Sequence, residues 1–393
     1  MRWADLLILL PAAWYQLAAF LFAALFYYLC ALGHLSLTSR YVVLTPAGMP
    51  RAVHIHGHLV SSRYTFLLAG GCLLAGTAMG SYAVLLLIPT VGSVLILLLV
   101  SPAHVHTWAF SIQMCWQTLC HLGLGSLVLE PQDTRPAVTL SAIMLLTQKV
   151  TSLALDIHEG TVLLQPGQGL LQRALPLCSY LLFFPALLGG PLCSFSKFQA
   201  QVTSPRAVPF PLQAVGWRCL AVLVLQVLRT WLESWLPCMQ GWASMGHMWT
   251  QALLFRLAYY SQWVLDDALL EAAGFGAAVE QGDLSGWDLW TLETTHRLAV
   301  FSRTWNKSTS LWLRRLIFQR CPAQPLLATF AFSAWWHGLR LGQVFGFLCW
   351  AIMVEADYRI HPFLSARATS RVAKLLYRGT TWVFTQLIIA YIQ

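Results

Sequence analysis

Polar residues in this chain are gathered into short clusters, and the stretches between the clusters are apolar on every side. Alternation would mark a half-buried strand, and a single apolar stripe would mark a surface helix. Runs of about 20 mostly apolar residues instead have the length of a helix that crosses a bilayer. The pattern predicts such helices over Leu6–Leu32, Trp108–Leu129, Val138–Leu155, Leu212–Leu236, Trp242–Leu265 and Leu326–Trp350. Tyr64–Gly80 and Ser81–Val100 read as two further spans or one helical hairpin, and Thr381–Ile392 begins another apolar helix. Leu175–Phe198 is apolar but interrupted by Pro185, Gly189, Gly190 and Pro191. Broken backbone at membrane depth must be buried in protein or face a cavity, so a re-entrant or kinked element is expected there. The reading is an all-α polytopic membrane protein of about ten spanning or re-entrant segments. It forms a single integral-membrane domain over 1–393.

The polar clusters have distinct characters. Residues 34–63 read as an insertion-like polar loop, because Ser39-Arg40-Tyr41 recurs as Ser62-Arg63-Tyr64. Within it, His54, His56 and His58 alternate, but no carboxylate or cysteine stands beside them to complete a metal site. Asp156–Gly160 has the look of a hydrated helix end. Residues 293–320 carry Arg297, Arg303, Lys307, Arg314, Arg315 and Arg320 among tryptophans, which predicts short basic helices lying in the membrane interface. Glu355–Arg378 is a second basic stretch. Gly76 and Gly80, four apart, predict a close helix approach.

Composition agrees with the pattern. The chain is 58% hydrophobic and only 10% charged, against about 25% charged in soluble domains. The net charge of +9 comes from clusters flanking apolar segments, so the partner it implies is a lipid bilayer and not nucleic acid. Ten cysteines are scattered through apolar stretches without a CxxC pair, which points to reduced thiols buried as small hydrophobes.

Leu326–Trp350 holds one imidazole, His337. An ionisable group inside an apolar span is costly and marks a candidate functional site, and an imidazole is suited to proton transfer near neutrality. At helical spacing Phe330, Ser333 and Leu341 share its face, Trp335 and Trp336 precede it, and Gly338, Gly342 and Gly346 form a small-residue ridge. Upstream lies Asn306, in the run Arg303-Thr304-Trp305-Asn306. Residues alone leave two readings of His337 open, a general base or an interhelical hydrogen bond.

That run, together with Ser333-Ala334-Trp335-Trp336-His337-Gly338, resembles the signature of the membrane-bound O-acyltransferase family. Trp116–Leu122, Tyr180–Gly190, Phe330–Gly338, Val344–Trp350 and Met353–Tyr358 resemble it as well, so the likeness covers nearly the whole chain. The resemblance implies a bundle of helices around a central tunnel, in a multi-pass enzyme of the endoplasmic reticulum membrane. It implies transfer of an octanoyl group from octanoyl-CoA, the co-substrate, to a serine of a secreted peptide beginning Gly-Ser-Ser-Phe, with no bound cofactor and no metal. His337 and Asn306 then form the catalytic pair. Arg297, Arg303, Lys307 and Arg314 are candidates for the anionic CoA, and Phe330 and Trp350 for the acyl chain, with Trp305, Ser333, Trp335 and Trp336 lining the site. The resemblance does not include the stretch between Thr45 and Ser61, and it leads us to expect one or two hydrophobic segments beyond Gln393. Rival readings are a relative acylating a lipid or another secreted protein, a proton-coupled transporter, which would show inverted repeats, and a serine hydrolase, which would need a G-x-S-x-G elbow that the sequence lacks.

Overall fold

The computed structural model describes residues 15–31, 49–124, 133–164, 169–190, 192–204, 210–236, 244–276 and 286–392. The regular elements among them are α-helices and 3₁₀ turns, and no strand occurs among the described residues. The helices are α1 (Tyr15–Ala31), α2 (Met49–Met79), α3 (Val84–Leu99), α4 (Val105–Leu124), α5 (Arg135–His158), α6 (Leu170–Leu181) and α7 (Phe195–Thr203). They continue as α8 (Leu212–Trp235), α9 (Ser244–Ala272), α10 (Gly286–Thr294), α11 (Leu298–Thr304), α12 (Lys307–Leu316), α13 (Pro325–Trp336), α14 (Leu341–Arg367) and α15 (Arg371–Ile392). Leu59–Leu99, α5 and α8 are long and apolar enough to cross a membrane. None of the residues of α8 is buried, so its apolar surface is left for lipid to solvate. The chain divides into one unit of residues 1–217 and 266–280 and another of residues 218–265 and 281–393.

In the first unit, α2 and α3 are joined by a 3₁₀ turn at Gly80–Ala83, with Gly80 at φ +58°. Pro89 inside α3 lacks an N–H and so deprives the Leu85 carbonyl of its helical donor. The Trp116 indole of α4 supplies one instead, at 2.9 Å. Gln113 donates to the Pro89 carbonyl and to the Ser93 hydroxyl, and the Thr147 hydroxyl donates to Gln117 at 2.7 Å. Each of these polar side chains is buried. In an apolar medium only such mutual pairing makes burial tolerable.

The predicted break in Leu175–Phe198 is present. Helix α6 ends at Leu181, a 3₁₀ turn occupies Phe184–Ala186, and α7 begins at Phe195. The carbonyls freed by the break find donors: the buried Lys149 ammonium reaches Leu181 at 3.5 Å and the Tyr180 hydroxyl donates to Cys193 at 2.7 Å. Phe183, Phe198 and Phe275 pack edge-on or stacked around it.

Three expectations need correction here. The polar loop assigned to 34–63 is in its latter part the first turns of α2, which runs back to Met49; residues 32–48, and the side chains of His54, His56 and His58, lie outside the described residues. The close approach comes from Gly71, where a methyl group would overlap the Leu182 carbonyl oxygen; Gly76 faces open space. And although the nine described cysteines are all reduced, Cys72 and Cys115 are exposed on the surfaces of apolar helices. Gly71→Ala is therefore expected to lower stability by about 1–3 kcal/mol, as overpacking does, while Gly76→Ala leaves it level or gains up to about 1 kcal/mol. Thermal unfolding of the two variants in detergent checks this.

In the second unit the expected single helix over Leu326–Trp350 is two helices. Gly338 (φ 110°) and Leu339 (φ 58°) both adopt positive φ between α13 and α14. The Leu339 amide donates to the Ala334 carbonyl at 3.1 Å and the Gly338 amide to that of Trp335 at 3.0 Å. This is the paired bonding of a Schellman helix stop, with His337 as C-cap and glycine at the position after it. The ridge of Gly338, Gly342 and Gly346 is therefore not a helix-packing seam: Gly338 ends a helix and Gly342 faces open space. Leu341 starts the other helix, 89% exposed, and shares no face with His337.

The basic region 293–320 forms short helices. Helix α12 buries Trp312 and Leu316 and exposes Arg314.

Candidate active site

Asn306 and His337 both sit at helix ends, a placement that spacing did not suggest. Asn306 is the N-cap of α12. Its backbone is left-handed (φ 43°), a conformation in which asparagine is enriched among non-glycine residues. Its side-chain oxygen accepts the Thr309 amide at 3.3 Å. Capping engages the oxygen of the amide, which leaves the NH2 half for donation, at the end of a helix where the backbone dipole is positive. His337 is the C-cap of α13, at the end of the helix where the backbone dipole is negative. The His337 ring is half-buried, 4.8 Å from that of Trp336 and stacked at 5.0 Å on Phe347. Trp312 of α12 packs on Trp336 at 5.3 Å and on Phe332 at 5.8 Å, and this contact ties the two helices together.

Trp305 is fixed within a cage of aromatic rings: Tyr259 at 5.6 Å, Tyr260 at 6.2 Å, Trp263 at 5.0 Å and Phe301 at 5.6 Å. This cage holds the backbone that enters the Asn306 turn. Phe330 and Trp350 do come together, stacked at 6.0 Å, and the Trp350 indole donates to Ser302 at 2.6 Å. Trp335 packs edge-on against Phe332 at 6.1 Å. Ser333 is buried, and its hydroxyl donates to Thr329 in its own helix at 2.9 Å. Its carbonyl accepts the His337 amide. Ser333 thus supports the helix end that presents His337.

The cationic candidates differ. Arg297 is paired with Asp357 at 3.3 Å, and the same carboxylate oxygen accepts the Ala299 amide at the start of α11. Lys307 stands 3.9 Å from Asp288. Arg303 is exposed, with its guanidinium 5.8 Å from the Tyr358 ring centre. Beside Arg297, burial first and then His361, Arg378 and Arg297 lower the pKa of His296 from its ordinary value.

One group escaped sequence reasoning. Arg256, fully buried in α9, forms a fork with Glu293 at 3.0 and 3.2 Å, and the Tyr260 hydroxyl donates to the same carboxylate at 2.8 Å. Trp382 of α15 donates to the Glu293 carbonyl at 2.8 Å. The available signal was an arginine in the middle of the apolar stretch Trp242–Leu265. Among the described residues no three His, Cys, Asp or Glu side chains gather as metal ligands.

Residues 171–392 match the model of the MBOAT, or membrane-bound O-acyltransferase, family. The chain is 48% identical over 417 aligned residues to the membrane-bound ghrelin O-acyltransferase MBOAT4 of Mus musculus, covering 100% of this chain and 90% of that one. The Rattus norvegicus protein of the same name gives the same identity and coverage. The membrane-bound glycerophospholipid O-acyltransferase 1 of Homo sapiens is 26% identical over 368 residues, covering 79% of this chain and 72% of its own.

Proposed function

Because the chain belongs to the membrane-bound O-acyltransferase family, we propose that it moves an octanoyl group from octanoyl-CoA to a serine hydroxyl of a secreted, ghrelin-like peptide beginning Gly-Ser-Ser-Phe, in the endoplasmic reticulum membrane. That it is a membrane-bound acyltransferase follows from the family. The observation that carries the peptide acceptor is the 48% identity over the whole chain to two ghrelin O-acyltransferases, against partial and lower identity to the glycerophospholipid enzymes.

The local geometry supports a mechanism. A serine hydroxyl is a weak nucleophile and needs a base. His337 accepts its proton as the serine oxygen attacks the thioester carbonyl, and the dipole at the end of α13 stabilises the imidazolium so formed. The carbonyl oxygen becomes an oxyanion, to which the Asn306 NH2 donates at the positive end of α12. Collapse expels the CoA thiolate, which takes the proton from His337, leaving an octanoyl ester and free CoA. The Phe330–Trp350 stack lines the path of the acyl chain within a central tunnel. Arg303 meets the CoA phosphates first, since Arg297 and Lys307 already have carboxylates beside them.

A second reading, a lysophospholipid acceptor, is favoured by the similarity to the glycerophospholipid enzymes. The test offers membranes containing the chain octanoyl-CoA with the peptide and a lysophospholipid together. Labelled peptide is the expected product; labelled lipid with bare peptide would overturn the peptide reading in favour of the second.

A further inference from the structure

The turn between α14 and α15 carries a concentration of charge that the acyl-transfer chemistry leaves unused. The half of α14 before Val354 and the half of α15 after Gly379 are apolar. Between them lie Arg359, Arg367, Arg371, Lys374 and Arg378, all exposed. The acidic residues nearby are occupied: Glu355 pairs with Arg359 at 2.8 Å and Asp357 with Arg297 at 3.3 Å. Arg371, Lys374 and Arg378 follow i, i+3, i+7 spacing and so form one stripe along α15. Beside that stripe Val372, Leu375 and Leu376 are exposed on an adjoining arc, Leu375 at 73%. On α14 the Arg367 guanidinium lies 3.6 Å over the ring of Phe363, itself 55% exposed. Tyr377 occupies the opposite, inward side, 2.5 Å from His361.

We propose that the α14–α15 turn is a binding surface for an anionic phospholipid, whose phosphate is held by Arg367, Arg371 and Lys374 while its acyl chains cover Phe363, Val372, Leu375 and Leu376. The paired composition selects a lipid over a soluble anion. A nucleotide or free phosphate would satisfy the cations and leave the large apolar side chains in water; a lipid satisfies both. Clusters of four to eight cations next to apolar helices attract anionic headgroups, at about five-fold in affinity per cation.

The test titrates the full chain in detergent with phosphatidylserine or phosphatidylcholine and reads bound lipid by native mass spectrometry. Phosphatidylserine is expected to bind in preference, with affinity that falls as salt rises. Arg367→Gln/Arg371→Gln/Lys374→Gln is expected to weaken it by roughly 100-fold. Arg359→Gln, whose cation is already paired, is expected to change it by less than about two-fold. Coincident thermal unfolding of wild type and triple variant shows that the fold is kept, as expected for exposed positions. Equal retention of the two lipids, an unaffected triple variant, a loss in Arg359→Gln as large as in the triple variant, or displacement of phosphatidylserine by CoA at equal concentration would each overturn the proposal.

Discussion

His337→Ala is expected to reduce peptide octanoylation to background while the protein still folds. The reason lies in how the residue is held. The helix stop at 337–339 is made by backbone groups: the His337 amide donates to Ser333, that of Gly338 to Trp335 and that of Leu339 to Ala334. Alanine preserves all three bonds, and the His337 backbone is right-handed (φ −81°), so no strain is added. The variant loses the ring contacts with Trp336 and Phe347 at the edge of a half-buried site, a modest loss of packing. Chemically it loses the group that takes the serine proton, for which a fall of about 10²–10⁴-fold is ordinary. The check is single-turnover transfer from octanoyl-CoA, beside a thermal unfolding profile. Wild-type turnover in a folded variant would remove His337 from the mechanism and return it to the role of interhelical hydrogen bonding.

How much of this was legible in the sequence depends on which rule each residue obeys. Apolar run length marked where helices lie but not where each begins or stops, because the requirement to satisfy backbone groups in lipid acts on whole segments. The clustered Pro and Gly of 185–191 announced a real break. Gly338 announced another and was misread, since Gly338, Gly342 and Gly346 at spacing four imitate a helix-packing ridge. What distinguishes the two is tertiary: only a chain that must turn back after His337 uses the glycine as a stop. The same holds for Gly71 and Gly76, equivalent by composition yet pressed against Leu182 in one case and open in the other. Partners distant in the chain were also invisible, because nothing local in Arg256 specifies Glu293, or in Trp350 specifies Ser302. In the sequence Asn306 stands out only through its neighbours, Arg303 to Trp305, and its role as a left-handed cap is visible only in the backbone.

That cap determines which substitution tests the oxyanion role. Asn306→Ala is expected to slow transfer by roughly 10²-fold or more, as loss of an oxyanion donor does, but it removes three properties together. It lacks the tolerance of asparagine for φ 43°, it gives up the cap on the Thr309 amide, worth about 0.5–2 kcal/mol, and it deletes the NH2 donor. Asn306→Asp separates them. A carboxylate tolerates the same backbone, caps the same amide and is itself favoured at a helix N-terminus, so the fold is retained within about 1 kcal/mol. What it cannot do is donate: at the position of the NH2 it places an oxygen that repels the developing negative charge. Asn306→Asp is therefore expected to unfold with the wild type and yet to lose about 10²–10³-fold or more in octanoyl transfer. The paired measurement is thermal unfolding and single-turnover rate for both variants. If Asn306→Asp transfers octanoate at the wild-type rate while Asn306→Ala does not, the residue serves the turn between α11 and α12 and the oxyanion must find its donor elsewhere.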